Sequence, residues 1–180
     1  MGSTIEDYKF LYGFISLVKP DTVLDIGTNY GVSAIAMAMA LRDANLTNSK
    51  ILSIDVNSTL IEIAKCQIEE MGLSKYVETL HGTSSDIDEN LFFDVAFIDG
   101  DHTFEGCERD FLNIESRVSY MIFHDVIHIE EVQQFINFLI KSGKHDVVII
   151  KPKRTGESWS RGEIIYKSAP GIAIVRKKND

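Results

Sequence analysis

Five short runs of apolar, β-branched-rich residues punctuate the chain: "TVLDIG" (22–27), "KILSIDV" (50–56), "YVETLHG" (76–82), "FFDVAFID" (92–99) and "YMIFHDV" (120–126). Continuous apolarity, in place of strict alternation, marks strands covered on both faces. Helical periodicity fills the intervals. Residues 58–71 put Leu60, Ile61, Ala64, Ile68 and Met71 on one face, with Thr59 and Glu62 at capping-box spacing and Gly72 as a stop. Residues 103–118 carry Phe104, Cys107, Phe111, Ile114 and Val118 at the same spacing, and 128–143 repeat the device, ending at Gly143. A further amphipathic helix over 4–18, its pattern running from about Ile5 to Val18, precedes the first strand. Strands alternating with helices imply βαβ units and a parallel sheet, hence a doubly wound α/β domain. The tail departs from this: "HDVVIIKP" (145–152) and "GIAIVRK" (171–177) are two strands with no clear helix between them, which predicts an antiparallel pair closing the sheet.

Composition fits one domain over residues 1–180, with "MGS" (1–3) reading as a cloning remnant. The 180 residues are 44% hydrophobic and 25% charged, enough for a sizeable core. No apolar stretch reaches the roughly 20 residues that span a bilayer, and the N-terminus lacks a basic segment followed by an apolar one, so a cytoplasmic location is expected. Cys66 and Cys107 stand alone within helical patterns and read as packing residues. A net charge of -9 argues against phosphate backbones and anionic lipid as partners and favours a small molecule. One basic stretch opposes the trend: Lys151, Lys153, Arg154 and Arg161 in "KPKRTGESWSRGE" (151–163) read as a solvated hairpin, with Trp159 either closing over a ligand or packing on that hairpin.

In open α/β sheets, ligands bind beyond the carboxyl ends of the strands. The polar residues collect there. The first strand ends in "DIGTNYGVS", where Gly27 and Gly31 allow tight turns and close backbone approach and Asn29 tolerates a left-handed conformation. Counting from Gly27, a dinucleotide fingerprint would need glycines where Asn29 and Val32 stand, so the spacing disfavours a bound pyrophosphate. Asp55 closes the second strand, where a carboxylate can accept both ribose hydroxyls. The fourth run stops on "FIDGDHTFEG", with Asp99, Asp101, His102 and Glu105 crowded at the strand end. Desolvating an unpaired carboxylate costs several kcal/mol, so such a cluster is either a solvated turn or a place where a cation or substrate is expected. Asp101 also suits a helix cap, and Glu105 the helix dipole.

"VLDIGTNYGVSAIAMA" with "ILSIDVN" and "HGTSSDI" resembles the class I S-adenosylmethionine-dependent methyltransferases over nearly the whole chain, from Thr22 through "GIAIVRK". The resemblance implies a Rossmann-like seven-stranded sheet, mostly parallel with a C-terminal antiparallel pair. It implies that the acidic residue Asp25 opens the cofactor motif and that Gly27, Thr28, Asn29 and Gly31 pack on the methionine part, with Ser33 near its carboxylate. Asp55 would hold the ribose. Val56, Asn57, Gly82, Thr83, Ser84 and Ser85 would surround the adenine, with Asp99 and His102 completing the cofactor pocket. "FIDGDH" is similar to the metal-binding strand end of cation-dependent O-methyltransferases, especially the macrolide-sugar and cephalosporin-pathway type. That likeness implies Asp99 as a metal ligand, His102 as general base, Asp125 of "YMIFHDV" as a second ligand, and His124 as a candidate third. Asn29 departs from the cofactor motif, where the family usually has glycine, and His124 and Val126 depart from the metal-binding pattern, which leaves the third ligand open.

The chemistry explains the metal. A histidine of pKa about 6.5 facing a hydroxyl as reluctant as water, pKa about 15.7, is mismatched by roughly nine units, on the order of 12 kcal/mol if deprotonation came first. A cation removes much of that gap. Two carboxylates plus waters suit Mg²⁺, and ligation by His124 would shift preference towards Mn²⁺. The expected activity is methyl transfer from S-adenosylmethionine to a hydroxyl of a small acceptor, with a sugar or glycosylated metabolite as the expected class. A homo-oligomer, a partner subunit or a fused domain would help select it. Two rivals stand beside this reading: a nicotinamide-dependent oxidoreductase, and a catalytically silent cofactor-binding module of a larger protein.

Overall fold

The computed structural model of the chain describes residues 4–151, 157–160, 163–166 and 171–178. In chain order the elements are α1 (Ile5–Val18), β1 (Thr22–Ile26), α2 (Val32–Asp43), β2 (Lys50–Asp55), α3 (Ser58–Glu70), β3 (Val77–His81), β4 (Phe93–Ile98), α4 (Phe104–Ile114), β5 (Val118–Phe123), α5 (Glu130–Ser142), β6 (His145–Ile150), β7 (Glu157–Ser160), β8 (Glu163–Tyr166) and β9 (Ile172–Lys177). A seven-stranded sheet has the order β3-β2-β1-β4-β5-β9-β6. Its first five strands are parallel, and β9 runs antiparallel between β5 and β6, as the tail predicts. β7 and β8 pair separately as the antiparallel hairpin expected of the basic stretch. The expectations for residues 1–3, for Lys153, Arg154 and Arg161, and for the Trp159 side chain lie outside what is described. No helix among the described residues is long and apolar enough to cross a membrane.

Both faces of the sheet are covered, and the strand sequences show why. Along β4, Val95 and Phe97 enter one core while Ala96 and Ile98 enter the other; along β5, Ile122 opposes Met121 and Phe123. The first core is roofed by α1, α2 and α3 through Leu11, Ile15, Met37, Leu41 and Ile68, the second by α4 and α5 through Phe111, Ile114, Phe135 and Leu139. A strand that must satisfy two apolar layers has no polar face, so it reads as an unbroken run. Phe135 is fully buried among Phe104, Phe111 and Phe123, and truncating it to Ala would cost about 3–5 kcal/mol.

Local chemistry adjusts the predicted boundaries. The cap of α3 is Asn57, whose side chain accepts from the backbone N–H of Thr59 and Leu60, so the Thr59–Glu62 capping box does not form; Glu62 pairs with Lys65 instead. Val118 opens β5 and is not the last turn of α4, because a short 3₁₀ turn at Glu115–Arg117 ends the helix early. Helix α2 carries no clear polar stripe, since Ala34, Met37, Ala38, Ala40 and Leu41 are all buried. Strand order reverses around β1, which lies between β2 and β4, and this opens a crevice at their carboxyl ends.

Candidate functional site

The crevice is built from strand ends laced together by backbone hydrogen bonds. Gly27 and Thr28 donate to the Ile54 carbonyl at 2.9 and 3.1 Å, Asp99 to Ile26 at 2.8 Å, and His124 to Ile98 at 3.2 Å. Gly27 sits at φ +96, and a Cβ there would overlap the Asp99 carbonyl, so only glycine lets β1 and β4 close this tightly. Asn29, at φ 47, takes the left-handed conformation expected of it.

Two cavities meet at this point. The larger, about 780 Å³, runs from Gly27 and Asn29 past Asp55 and Val56 to Gly82, Thr83, Ser84 and Ser85. The smaller, about 310 Å³, is bordered by Thr28, Ser33, Tyr30 and Asp125, with Tyr8 of α1. Gly27, Asn29, Asp99 and His102 line both. Asp55 is held by two backbone N–H groups, Asn29 donating to Oδ2 and Asn57 to Oδ1, each at 2.8 Å, which fixes its carboxylate at the cavity wall.

Asp99, His102 and Asp125 converge where the cavities join. One ligand atom from each lies within 4.8 Å of the others, a spacing and donor set that fit a divalent cation. His102 Nε2 is 3.1 Å from Asp99 Oδ1 and 3.2 Å from Asp125 Oδ2. Asp125 reaches this position from a left-handed backbone, φ 58, which turns the chain sharply after β5. The carboxylates of Asp125 and Asp99 push His102 up to about 9. Burial alone would raise both carboxyls, but hydrogen bonding from His102 and His124 outweighs it and holds them below the usual range.

His124 stands behind this group, fully buried. Its Nδ1 lies 3.0 Å from Asp99 Oδ1 and 3.7 Å from Asp125 Oδ2, while Nε2 faces Asp7 Oδ2 of α1 at 3.4 Å. Burial opposes its charge, yet Asp125, Asp7 and Asp99 together drive it up to about 12. Of the three candidate metal ligands in the sequence, then, the geometry brings Asp99 and Asp125 together with His102, and gives His124 the place of a buried counter-ion.

Three other sequence candidates line neither cavity. Asp25 turns into the sheet, where it is wholly buried and accepts from Ser53 Oγ at 2.6 Å and Ser33 Oγ at 3.1 Å. Burial raises its carboxyl to about 6 despite those bonds. Gly31 starts α2 and packs against Ala64, and Asn57 is occupied as the cap of α3. Asp101 accepts from the Thr103 N–H and hydroxyl, but the cap of α4 is Thr103 itself, whose side chain accepts from the Gly106 N–H, so the capping role expected of Asp101 falls to its neighbour. Sequence reasoning missed Tyr8, Arg109 and Asp110, which border the cavities from helical positions, where no motif distinguishes a wall residue from a surface one.

Comparison with known proteins bears on the fold and the family. Residues 24–126 match the family model described as a methyltransferase domain. Caffeoyl-CoA O-methyltransferase 2 of Petunia hybrida is 28% identical over 126 residues, which are 66% of this chain and 48% of the relative. The chain thus spans about half the length of the curated relatives it matches. The fold is shared with the O-methyltransferase TomG from Streptomyces achromogenes, involved in tomaymycin synthesis and solved in complex with SAM (TM-score 0.75, 18% identity, 99% of this chain and 82% of that one). It is shared equally with the O-methyltransferase from Bacillus cereus in complex with SAH (TM-score 0.75, 18% identity, 98% and 83%). With more than half its length matched by that family model, on a sheet whose switch point carries the crevice, the chain belongs to the methyltransferase domain family.

Proposed function

We propose that the chain transfers the methyl group of S-adenosylmethionine to a hydroxyl oxygen of a small molecule, with a divalent cation held by Asp99 and Asp125. The observation that carries this reading is the meeting of Asp99, His102 and Asp125 at the junction of the two cavities. The larger cavity would take the adenosine, its ribose on Asp55 and its base beside Ser84 and Ser85. The smaller would take the methionine end, against Thr28 and Ser33. The sulfonium would then face Asp99, which lines both cavities and whose charge suits a cationic donor.

When bound, the cation supplies Lewis-acid stabilisation of the developing alkoxide. The chain's residues do the rest. Asp99 and Asp125 would hold the cation, and His102, no longer paired with both carboxylates, would accept the proton of the hydroxyl at its imidazole nitrogen. Gly27 and Asn29 hold the donor in line with the incoming oxygen. The acceptor stays at the level of a hydroxyl-bearing small molecule. The "FIDGDH" stretch points to a sugar or glycosylated metabolite, and the relatives' names point to caffeoyl-CoA. A partner subunit or a fused domain would supply further acceptor contacts.

The test is calorimetric titration with S-adenosylhomocysteine, with Mg²⁺ and with chelator, followed by a methyl-transfer panel of sugar and phenolic hydroxyls. Micromolar-range cofactor binding that survives chelation is expected, with transfer abolished in Asp99→Asn. Absence of cofactor binding rejects the reading. A stronger response to NADH revives the oxidoreductase, and binding without transfer to any acceptor favours the silent module.

A further inference from the structure

Asp7 belongs to no motif and sits in the first turn of α1, where its Oδ2 accepts from the N–H and the hydroxyl of Thr4, both at 2.7 Å, in a capping box. An aspartate in that role is ordinarily solvated. This side chain is 4% exposed, a degree of burial that a carboxylate seldom reaches unless it is paired. The same Oδ2 faces His124 Nε2 at 3.4 Å, and that nitrogen is buried with no hydrogen bond of good geometry among the described residues. The opposite ring nitrogen, Nδ1, lies 3.0 Å from Asp99 Oδ1. One imidazole is thus held between a carboxylate of the first helix and a carboxylate of the proposed cation site. Its face rests on the Phe97 ring, centroids 5.9 Å apart.

Asp99 Oδ1 is reached by two imidazoles, His102 at 3.1 Å and His124 at 3.0 Å. His102 is the proposed base, so His124 is the group left to hold that carboxylate in place. A ring held at both nitrogens cannot pivot, whereas one held at Nδ1 alone can. Partners that orient a ligand in this way typically contribute a large share of metal affinity. On the reading that Asp99 and Asp125 hold a divalent cation, we infer that Asp7 is a positioning residue of that centre: it fixes His124, and through it the Asp99 carboxylate, so that a side chain of the first helix sets the cation affinity. Neither Asp7 nor His124 lines either cavity, which separates this role from cofactor contact.

The experiment reads Mn²⁺ affinity by electron paramagnetic resonance in the wild type, Asp7→Ala, His124→Phe and the double variant, with S-adenosylhomocysteine titrated into each by calorimetry. Asp7→Ala should weaken Mn²⁺ about tenfold or more. The homocysteine ligand should stay within about threefold of its wild-type affinity, since the substitution is remote from its walls. In the His124→Phe background, removing Asp7 should change Mn²⁺ affinity about twofold or less, because a residue acting through the imidazole has nothing left to act on. An unchanged Mn²⁺ affinity in Asp7→Ala overturns the inference, and so does an equal loss in both backgrounds. A parallel loss of Mn²⁺ and homocysteine ligand marks Asp7 as merely structural and overturns it as well. A crystal structure of the wild type with Mn²⁺ should keep Asp7 within about 4 Å of His124 Nε2; a wider separation overturns the inference whether or not any variant folds. A wild type that binds the homocysteine ligand but no Mn²⁺ rejects the cation reading itself, and the inference with it.

Discussion

Asp25 offers a stability measurement with a definite sign. Its carboxyl is wholly buried, has Ser53 and Ser33 as donors to one oxygen, and is raised by burial from 3.8 to about 6. Its other oxygen, Oδ1, is buried with no hydrogen-bond partner. A raised carboxyl pKa means that the folded state holds its proton more tightly than the unfolded one between those two values. The stability that this group allows is therefore fully present below about 3.8 and is lost as the pH climbs through about 6. A gap of about two units corresponds to about 3 kcal/mol, roughly half of it already lost at pH 5. Asp25→Asn keeps the shape and removes the ionisation. Urea unfolding of both proteins across this range, without cofactor, should show the variant gaining about 3 kcal/mol relative to the wild type between its acid and neutral limits. Taking the difference cancels the other titrating groups. Carbon-13 NMR of labelled aspartate should place one carboxyl midpoint near 6, absent from the variant. A stability difference constant with pH, or a midpoint below 4, refutes the argument that burial of this carboxylate outweighs its two hydrogen bonds.

The remaining predictions concern the strand ends and caps. Gly27→Ala must fit a side chain at φ +96 against the Asp99 carbonyl, so it should lose at least about 2 kcal/mol in urea melts and most of its affinity for S-adenosylhomocysteine. Asn57→Ala should cost about 1 kcal/mol through the lost cap while changing that affinity less than twofold, which separates capping from ligand contact. Asp125→Asn should weaken Mn²⁺ binding at least tenfold by electron paramagnetic resonance, with cofactor binding retained; an unchanged Mn²⁺ affinity removes Asp125 from the ligand set. His145 is buried against Phe111, and burial lowers its pKa, so its neutral form supports the fold above about 6.5 and that support is lost as the pH falls below it. His145→Gln should therefore show a shallower loss of melting temperature on going from pH 7 to pH 5.5.

The sheet was legible because a strand serving two cores cannot hide its period: Val95, Ala96, Phe97 and Ile98 are apolar in succession since each has a helix above or below it. The residues that line the crevice at the strand ends, such as Asp55, Asp99 and Asp125, were legible too, since a carboxylate closing such a run has nowhere to go but the strand end. Three kinds of residue were not. Asn57 and Thr59 are both good caps, and only the backbone decides which one leads. Asp25 looks like a ligand because its neighbours are, yet strand alternation turns it inward. Asp110 sits on an amphipathic helix, where a polar position beside the apolar stripe reads as solvated until the neighbouring loop is folded against it.

The contact between Asp7 and His124 ties the first helix to the end of β5, behind the proposed cation ligands. A nascent chain could complete every strand through β5 and still leave this imidazole open to water if α1 had not docked. Ordering of the reaction centre is therefore coupled to the seating of the opening segment. A protein or domain pulling on that segment would loosen the proposed cation ligands without touching any of them.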